Sequence, residues 1–238
     1  MQIFADFAGY SLIAIGLAAA LGYTIPDNFA FPYISRSLSE FWRRWHISLS
    51  TWLRDYLYFP LGGNRKGKIR TYVNLMTVMT LGGLWHGAAW SYAVWGVYHG
   101  FGLAVERFFG FDKSKNQSKD PIPTKAQPIW KQLLLDSISV LAIFSFVSLG
   151  WLLFKLPRFE EAVEFVVCLF RNVKIKPGWT YIIPTLIFSI PVVIYHIPHF
   201  PTWQNIIKDD AGKPLVLLPF VLMAGWSSNN KWSLLGGI

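Results

Sequence analysis

Long apolar runs, separated by short basic or proline-containing stretches, set the pattern of this chain. Crossing about 30 Å of hydrocarbon takes roughly 20 helical residues, because a backbone in lipid must satisfy its own polar groups. The first run covers residues 3–23 and stops at TIPDN, where Pro26 and Asp27 break it. Residues 71–109 are too long for one crossing and are interrupted at WHGAAW by Gly87, which predicts two short helices meeting near His86. A further helix is expected over 130–156, with Trp130 and Trp151 as interface anchors. Another is expected over 179–200, kinked by Pro184 and Pro191. A last run, 214–226, is short and predicts a partly buried segment.

Between 36 and 59 the pattern changes. Ser37 followed three residues later by Glu40 forms a capping box, which predicts a helix starting near Leu38. At helical spacing Phe41, Trp45, Trp52 and Tyr56 share one face, extended by Trp42, Leu49, Leu53 and Leu57, while Arg43, Arg44 and Arg54 lie opposite. The expectation is one amphipathic motif helix over 36–59, at a membrane interface or packed between membrane helices and an aqueous cavity. His46 falls at the edge of its apolar arc. Together the runs predict an all-α fold: a polytopic integral membrane helix bundle with amphipathic interfacial helices. It is read as a single membrane domain over residues 1–238, without an internal repeat or a separate soluble domain.

Composition strengthens that reading: 53% of residues are hydrophobic, 17% aromatic and only 15% charged, below the charged share of a soluble domain. The net charge of +9 comes from basic residues in short clusters between apolar runs, which argues for loops facing anionic lipid and against nucleic acid as a partner. Arg65, Lys66, Lys68 and Arg70 precede the 71–109 run, and Arg107 at its end is followed by Lys113, Lys115, Lys119 and Lys125. Both loops are therefore expected on the cytoplasmic side, the second as a mobile cytoplasmic loop over 110–129. The single cysteine, Cys168, excludes an intramolecular disulfide and a cysteine-based metal site. The start MQIFADFAGY has no basic lead and no cleavage site, so it reads as a membrane segment and not as a secretory signal.

Two histidines stand out against this background. His86 lies inside a membrane region, where an ionisable side chain is costly and marks a functional candidate. Gly82 and Gly83 lie on or near its face, leaving room for another backbone or a slender substrate. His46 sits where aromatic and cationic surfaces meet. The glycine-rich basic stretch PLGGNRKGK can approach phosphates but lacks GxxxxGK[ST] spacing. His99 and Glu106 are two turns apart on one predicted helix face, within reach of a hydrogen bond, although a structural His99 is favoured. HIPH, His196 to His199, carries no acidic or thiol ligand nearby and reads as two interface histidines, so no metal is expected.

The linked stretches QIFADFAGYSLIAIGLAAALGY, FWRRWHISLSTWLRDYLYFPLGGNR and LGGLWHGAAWSYAVWGVYHG resemble the membrane-bound O-acyltransferase (MBOAT) family, in its bacterial alginate O-acetyltransferase and D-alanyl transfer branch. The likeness covers Gln2 to about Glu106, and only hydropathy continues it further. It implies a partial MBOAT fold, the C-terminal part of longer proteins, and hence a chain that is a fragment or a truncated product. It also implies a ring of helices around a tunnel that joins a cytoplasmic acyl donor to an acceptor on the other side. The family's WHG histidine corresponds to His86, and its second motif residue to His46.

Acyl transfer from a thioester to a hydroxyl needs a base for the alcohol and stabilisation of an oxyanion. No Gly-x-Ser-x-Gly elbow and no HxxxxD spacing at His46, His86 or His99 is present, so direct transfer without a covalent serine is expected. His86 is the expected general base, and His46 is expected to position the thioester or donate to the oxyanion. Arg43, Arg44, Trp45, Ser50, Arg54, Asn74 and Trp85 are the expected substrate-binding residues, with the arginines and the 62–68 loop facing donor phosphates, a carrier protein or lipid headgroups. No bound cofactor is expected; the co-substrate is an acyl thioester, either acetyl-CoA or an acyl-carrier protein. The expected setting is the bacterial inner membrane, multi-pass, with membrane lipid, a polysaccharide acceptor or an extracytoplasmic acyltransferase as partner. Two alternatives remain: a non-enzymatic transporter, channel or haem-binding bundle using His46, His86 and His99, or an inactive family fragment.

Overall fold

The computed structural model describes residues 1–110, 128–156, 158–171 and 179–200. These are helical apart from their connections: α1 Gln2–Ala20, α2 Leu38–Arg44, α3 Ile47–Leu53, α4 Lys68–Trp85, α5 Trp90–Phe108, α6 Ile129–Lys155, α7 Phe159–Arg171 and α8 Trp179–His196. No strand is present among the described residues, and an isolated antiparallel bridge joins Phe29 to Trp45. Among the described residues two helices, α1 and α6, are long and apolar enough to cross a membrane, with mean hydropathies of 1.7 and 2.1. The break expected near His86 is present, with α4 ending at Trp85 and α5 starting at Trp90. Helix α7, with Glu160 and Glu161 in its first turn, was not anticipated, because its apolar stretch is too short to register as a span. The predicted 214–226 segment and residues 111–127 of the predicted 110–129 loop lie outside the described residues.

The single helix expected over 36–59 is corrected to three pieces. Its start is as the capping signal predicts: Ser37 Oγ accepts from Glu40 N at 3.0 Å, and Glu40 Oε2 accepts from Arg36 N at 2.9 Å. The helix then stops at Arg44. His46 takes a left-handed backbone with φ 45°, α3 restarts at Ile47, and the chain widens into a π turn over Arg54–Tyr58. The cause is competition from residues 28–30. In an unbroken helix Ile47 N would bond Arg43 O and Ser48 N would bond Arg44 O. Instead Ile47 N bonds Asn28 O at 3.0 Å, Ser48 N bonds Asn28 Oδ1 at 3.2 Å, and Arg44 O accepts from Ala30 N at 3.0 Å.

Around this break lies an aromatic core. Trp45 is buried, stacks on Phe41 at 5.6 Å and meets Trp151 of α6 at 4.8 Å, while Trp151 stacks on Trp95 of α5 at 5.7 Å. Such ring pairs combine large buried area with a preferred geometry. Polar ties fix the helices around it. The buried Glu106 carboxylate of α5 caps the start of α2, accepting from Leu38 N and, at 3.1 Å, from Ser39 N. Arg36 pairs with Asp136 of α6 at 3.3 Å. Buried Asn74 of α4 donates to the Leu61 and Gly63 carbonyls at 3.2 and 3.1 Å, holding down the loop that carries GGNRKGK.

Helices α4 and α5 touch backbone to backbone. A Cβ on Gly83 would lie 2.3 Å from the Tyr92 carbonyl oxygen, and one on Gly96 would lie 2.4 Å from that of Met79. Only glycine permits that approach, as in small-residue contacts between membrane helices. The room expected beside His86 is thus filled in part by a second backbone. Gly96→Ala is expected to push the helices apart and destabilise the fold by about 1–3 kcal/mol, read as a lower unfolding midpoint in detergent. Asn74→Ala is expected to release the 61–67 loop, leaving helical content intact while trypsin cuts faster at Arg65 and Lys66; an unchanged cleavage rate would show that the loop is held by other contacts.

Candidate active site

One face of α4 supplies Leu75, Val78, Met79, Gly82 and then His86 to a cavity of about 320 Å³. At 1.5 Å per residue these positions extend over about 16 Å. Helix α5 runs back along the same cavity, contributing Trp95 near His86 and then Leu103 and Arg107. Trp42 of α2, Leu49, Ser50 and Leu53 of α3, and Arg54 and Tyr58 of the π turn complete the wall, with Asn64 from the loop. The break at His46 and the π turn are therefore what turn α3 toward α4: Leu53 lies against Gly82, where an added Cβ would sit 3.0 Å from Leu53 Cδ1. The lining is largely apolar, with His86 toward the α4 C-terminus and Arg107 toward the α5 C-terminus.

His86 caps the C-terminus of α4 and is half-buried among rings, its centroid 4.9 Å from Phe154, 5.0 Å from Trp85 and 5.6 Å from Trp95. His46, the N-cap of α3, does not itself line the cavity. Its ring meets Phe7 edge-on at 4.7 Å and Trp85 at 6.3 Å, so the exposed Trp85 indole touches both histidines. Burial pushes the His46 imidazole down to about 4, and repulsion from the nearby His86 adds to the shift. His46 is accordingly neutral at neutral pH. Its Nδ1 lies 3.4 Å from Asn28 Oδ1.

The other expected site residues divide into two groups. Ser50 and Arg54 line the cavity; Ser50 Oγ donates to Trp45 O at 3.1 Å, and Arg54 forms a pair with Asp55 at 2.7 Å. Arg43, Arg44, Trp45 and Asn74 do not line it. Arg44 is spent on Glu40 at 2.8 Å and on the Ala30 carbonyl at 3.2 Å, Trp45 belongs to the aromatic core, and Asn74 holds the loop. Arg43 is exposed.

The His99–Glu106 hydrogen bond does not form, because both Glu106 oxygens face the start of α2. His99 is fully buried among Trp42, Trp95 and Tyr98, and among the described residues neither ring nitrogen has a hydrogen-bond partner. Of the HIPH pair, His196 donates from Nδ1 to Val192 O at 2.7 Å and His199 stacks on Phe31 at 3.5 Å.

Sequence reasoning missed Asn28, Tyr58 and Arg107 as neighbours of the site, whereas Asn64 falls in the 62–68 loop expected to face the donor. Tyr58 donates to Asn64 Oδ1 across the end of the cavity. The available signals were the amide directly after the Pro26–Asp27 break and the arginine closing the last turn of α5.

Comparison with known proteins identifies the family. Residues 1–126 match the family model described as MBOAT, membrane-bound O-acyltransferase family. The chain is 46% identical over 170 residues to "Probable alginate O-acetylase AlgI" of Pseudomonas putida, which covers 71% of this chain and 31% of that protein. It is 37% identical over 163 residues to the peptidoglycan O-acetyltransferase of Helicobacter pylori, covering 68% of this chain and 28% of that one. Against the teichoic acid D-alanyltransferase of Streptococcus thermophilus the identity is 32% over 165 residues, covering 65% and 39%. The chain thus spans about a third of the length of the curated relatives it matches. A match over more than half its residues, centred on the helices that build the cavity, places the chain in the membrane-bound O-acyltransferase family.

Proposed function

We propose that the chain carries the acyl-transfer site of a multi-pass inner-membrane O-acyltransferase. In this reading an acyl group, acetyl by preference, moves from a cytoplasmic thioester to a hydroxyl of an exported polysaccharide or of a relay protein. The observation that carries the reading is the elongated apolar cavity with His86 toward one end and Arg107 and Arg54 lining it with Tyr58 and Asn64. An acyl thioester has the same polarity: an anionic or carrier-borne tail and a neutral reacting carbonyl at the tip. Relatives named for alginate, peptidoglycan and teichoic acid chemistry support a cell-surface polymer as the final acceptor. Helices α4 and α5, of 18 and 19 residues, would then cross the bilayer beside α1 and α6.

In the reaction the acceptor oxygen attacks the thioester carbonyl while its proton passes to the His86 imidazole. The oxyanion collapses, the C–S bond breaks, and the imidazolium returns its proton to the leaving thiolate. Near-neutral basicity suits a histidine to both transfers. Arg107 holds the anionic end of the donor, Ser50 and Trp95 shape the passage, and His46, on the far side of Trp85, orients the reactants. Trp45, Arg44 and Asn74 act through the wall they build.

His86→Ala is expected to lower acyl transfer at least about 10²-fold in membranes from cells expressing the protein, followed as label passing from thioester to acceptor. Arg107→Gln is expected to raise the KM for the donor several-fold with a smaller change in kcat. Full transfer by His86→Ala would overturn the assignment of the base.

A further inference from the structure

Residues 28–30 lie antiparallel to residues 44–47, pinned by the Ala30 N to Arg44 O and Ile47 N to Asn28 O bonds and by the Phe29–Trp45 bridge. The Asn28 side chain projects from this brace onto the turn that carries His46. Its terminal oxygen meets three groups: Ser48 N at 3.2 Å, Ser48 Oγ at 2.6 Å and His46 Nδ1 at 3.4 Å. On its other side the Asn28 amide nitrogen donates to Ser11 Oγ of α1 at 3.4 Å.

These contacts decide the chemistry of the ring. An amide's oxygen and nitrogen are told apart by their partners, and a backbone N–H can only donate. Ser48 N therefore requires the oxygen of Asn28 to face the turn. That oxygen cannot donate in return, so the imidazole nitrogen beside it must carry the proton. A neutral imidazole has one N–H. With it at Nδ1, Nε2 holds the lone pair, and among the described residues no hydrogen-bond partner meets Nε2.

We infer that Asn28 is a positioning residue that fixes His46 in the Nδ1–H tautomer, so that His46 serves the acyl transfer as a hydrogen-bond acceptor through Nε2. This rests on the acyl-transfer reading above and revises one part of its sequence-based expectation. A neutral ring with a bare Nε2 cannot stabilise an oxyanion by donating from that atom. It can accept from the hydroxyl of an acceptor that approaches past the exposed Trp85, which both histidine rings meet, and so orient that oxygen toward His86. Asn28 holds one ring nitrogen of His46 and thereby sets which nitrogen is free.

The test reads the tautomer directly. The chain has five histidines, so 15N-histidine labelling in bilayer nanodiscs gives few signals, and loss of one in His46→Gln assigns its ring. The expected wild-type spectrum at neutral pH has a protonated Nδ1 and an unprotonated Nε2. Asn28→Ala is expected to move the proton wholly or partly to Nε2 and to lower kcat at least about tenfold with the donor KM little changed. Asn28→Asp, which keeps an acceptor oxygen in place, is expected to restore the wild-type tautomer and most of the rate; a merely structural asparagine would show neither the shift nor the rescue. A wild-type ring with bare Nδ1, or an unchanged tautomer in Asn28→Ala, overturns the inference. If Asn28→Ala does not fold, the wild-type and Asn28→Asp spectra decide it. The expected tautomers without transfer in the wild type would uphold the role of Asn28 and overturn the acyl-transfer reading.

Discussion

The backbones of α4 and α5 meet where Gly83 and Gly96 face each other, and the site is arranged around that contact. Because neither position tolerates a Cβ, the helices are pinned at closest approach beside the turn that carries His86. Moving along α4 from there toward its start, Met79, Val78 and Leu75 restore side-chain volume, and Leu103 answers them from α5. Two helices alone leave an open groove. The third wall comes from α3 and the π turn, which approach α4 on the adjoining face, with Leu53 set against Gly82. Adjacent glycines thus serve different neighbours: Gly83 admits the backbone of α5, and Gly82 admits a side chain from α3.

A cavity walled this way depends on polar groups that never reach it. Glu106 places its carboxylate on the first backbone amides of α2, where the helix leaves N–H groups unpaired and its dipole favours an anion. Asn74 satisfies two carbonyls of an irregular loop, and Arg36 reaches Asp136. An unsatisfied polar group costs most in an apolar setting, so these side chains are committed to the scaffold. His86 differs from them: it caps a helix through its backbone, while its ring is surrounded by Trp85, Trp95 and Phe154 and, among the described residues, makes no hydrogen bond. A ring kept at the edge of a cavity without a structural partner is available for chemistry.

What could be read from the sequence followed from local rules. The extents of α1 and α6, the interruption at Gly87 and the Ser37 cap all come from signals within a few residues of the feature they predict. His86, Ser50 and Arg54 were legible as cavity residues for the same reason. The break at His46 was not. Residues 41–57 keep an amphipathic helical pattern straight through Trp45 and His46, and what diverts them is the hydrogen-bonding segment 28–30 upstream. Trp45 and Arg44, read as facing a substrate on a continuous helix, rotate into the core and onto Ala30 once the helix is broken. Asn28 and Glu106 were illegible as partners because their targets lie far along the chain, 18 and 68 residues away.

The left-handed backbone at His46 ties these levels together. A non-glycine residue at φ 45° costs about 1 kcal/mol or more, and it persists only where surrounding contacts determine it. Here the bonds from 28–30 to 44–48 hold it in place. An uninterrupted helix would satisfy the same backbone groups without that cost, and it would place residue 46 on a face fixed by the rows of Trp42 and Ser50. The left-handed turn instead frees the imidazole from the helical register. It brings the ring against Phe7 and Trp85 and within reach of an amide whose oxygen has only one way to face. The strain is thus what allows a histidine on a short amphipathic segment to share a tryptophan with a histidine forty residues later. The two rings reach that tryptophan from separate elements, with α1 and the 28–30 brace behind the first and α4 behind the second.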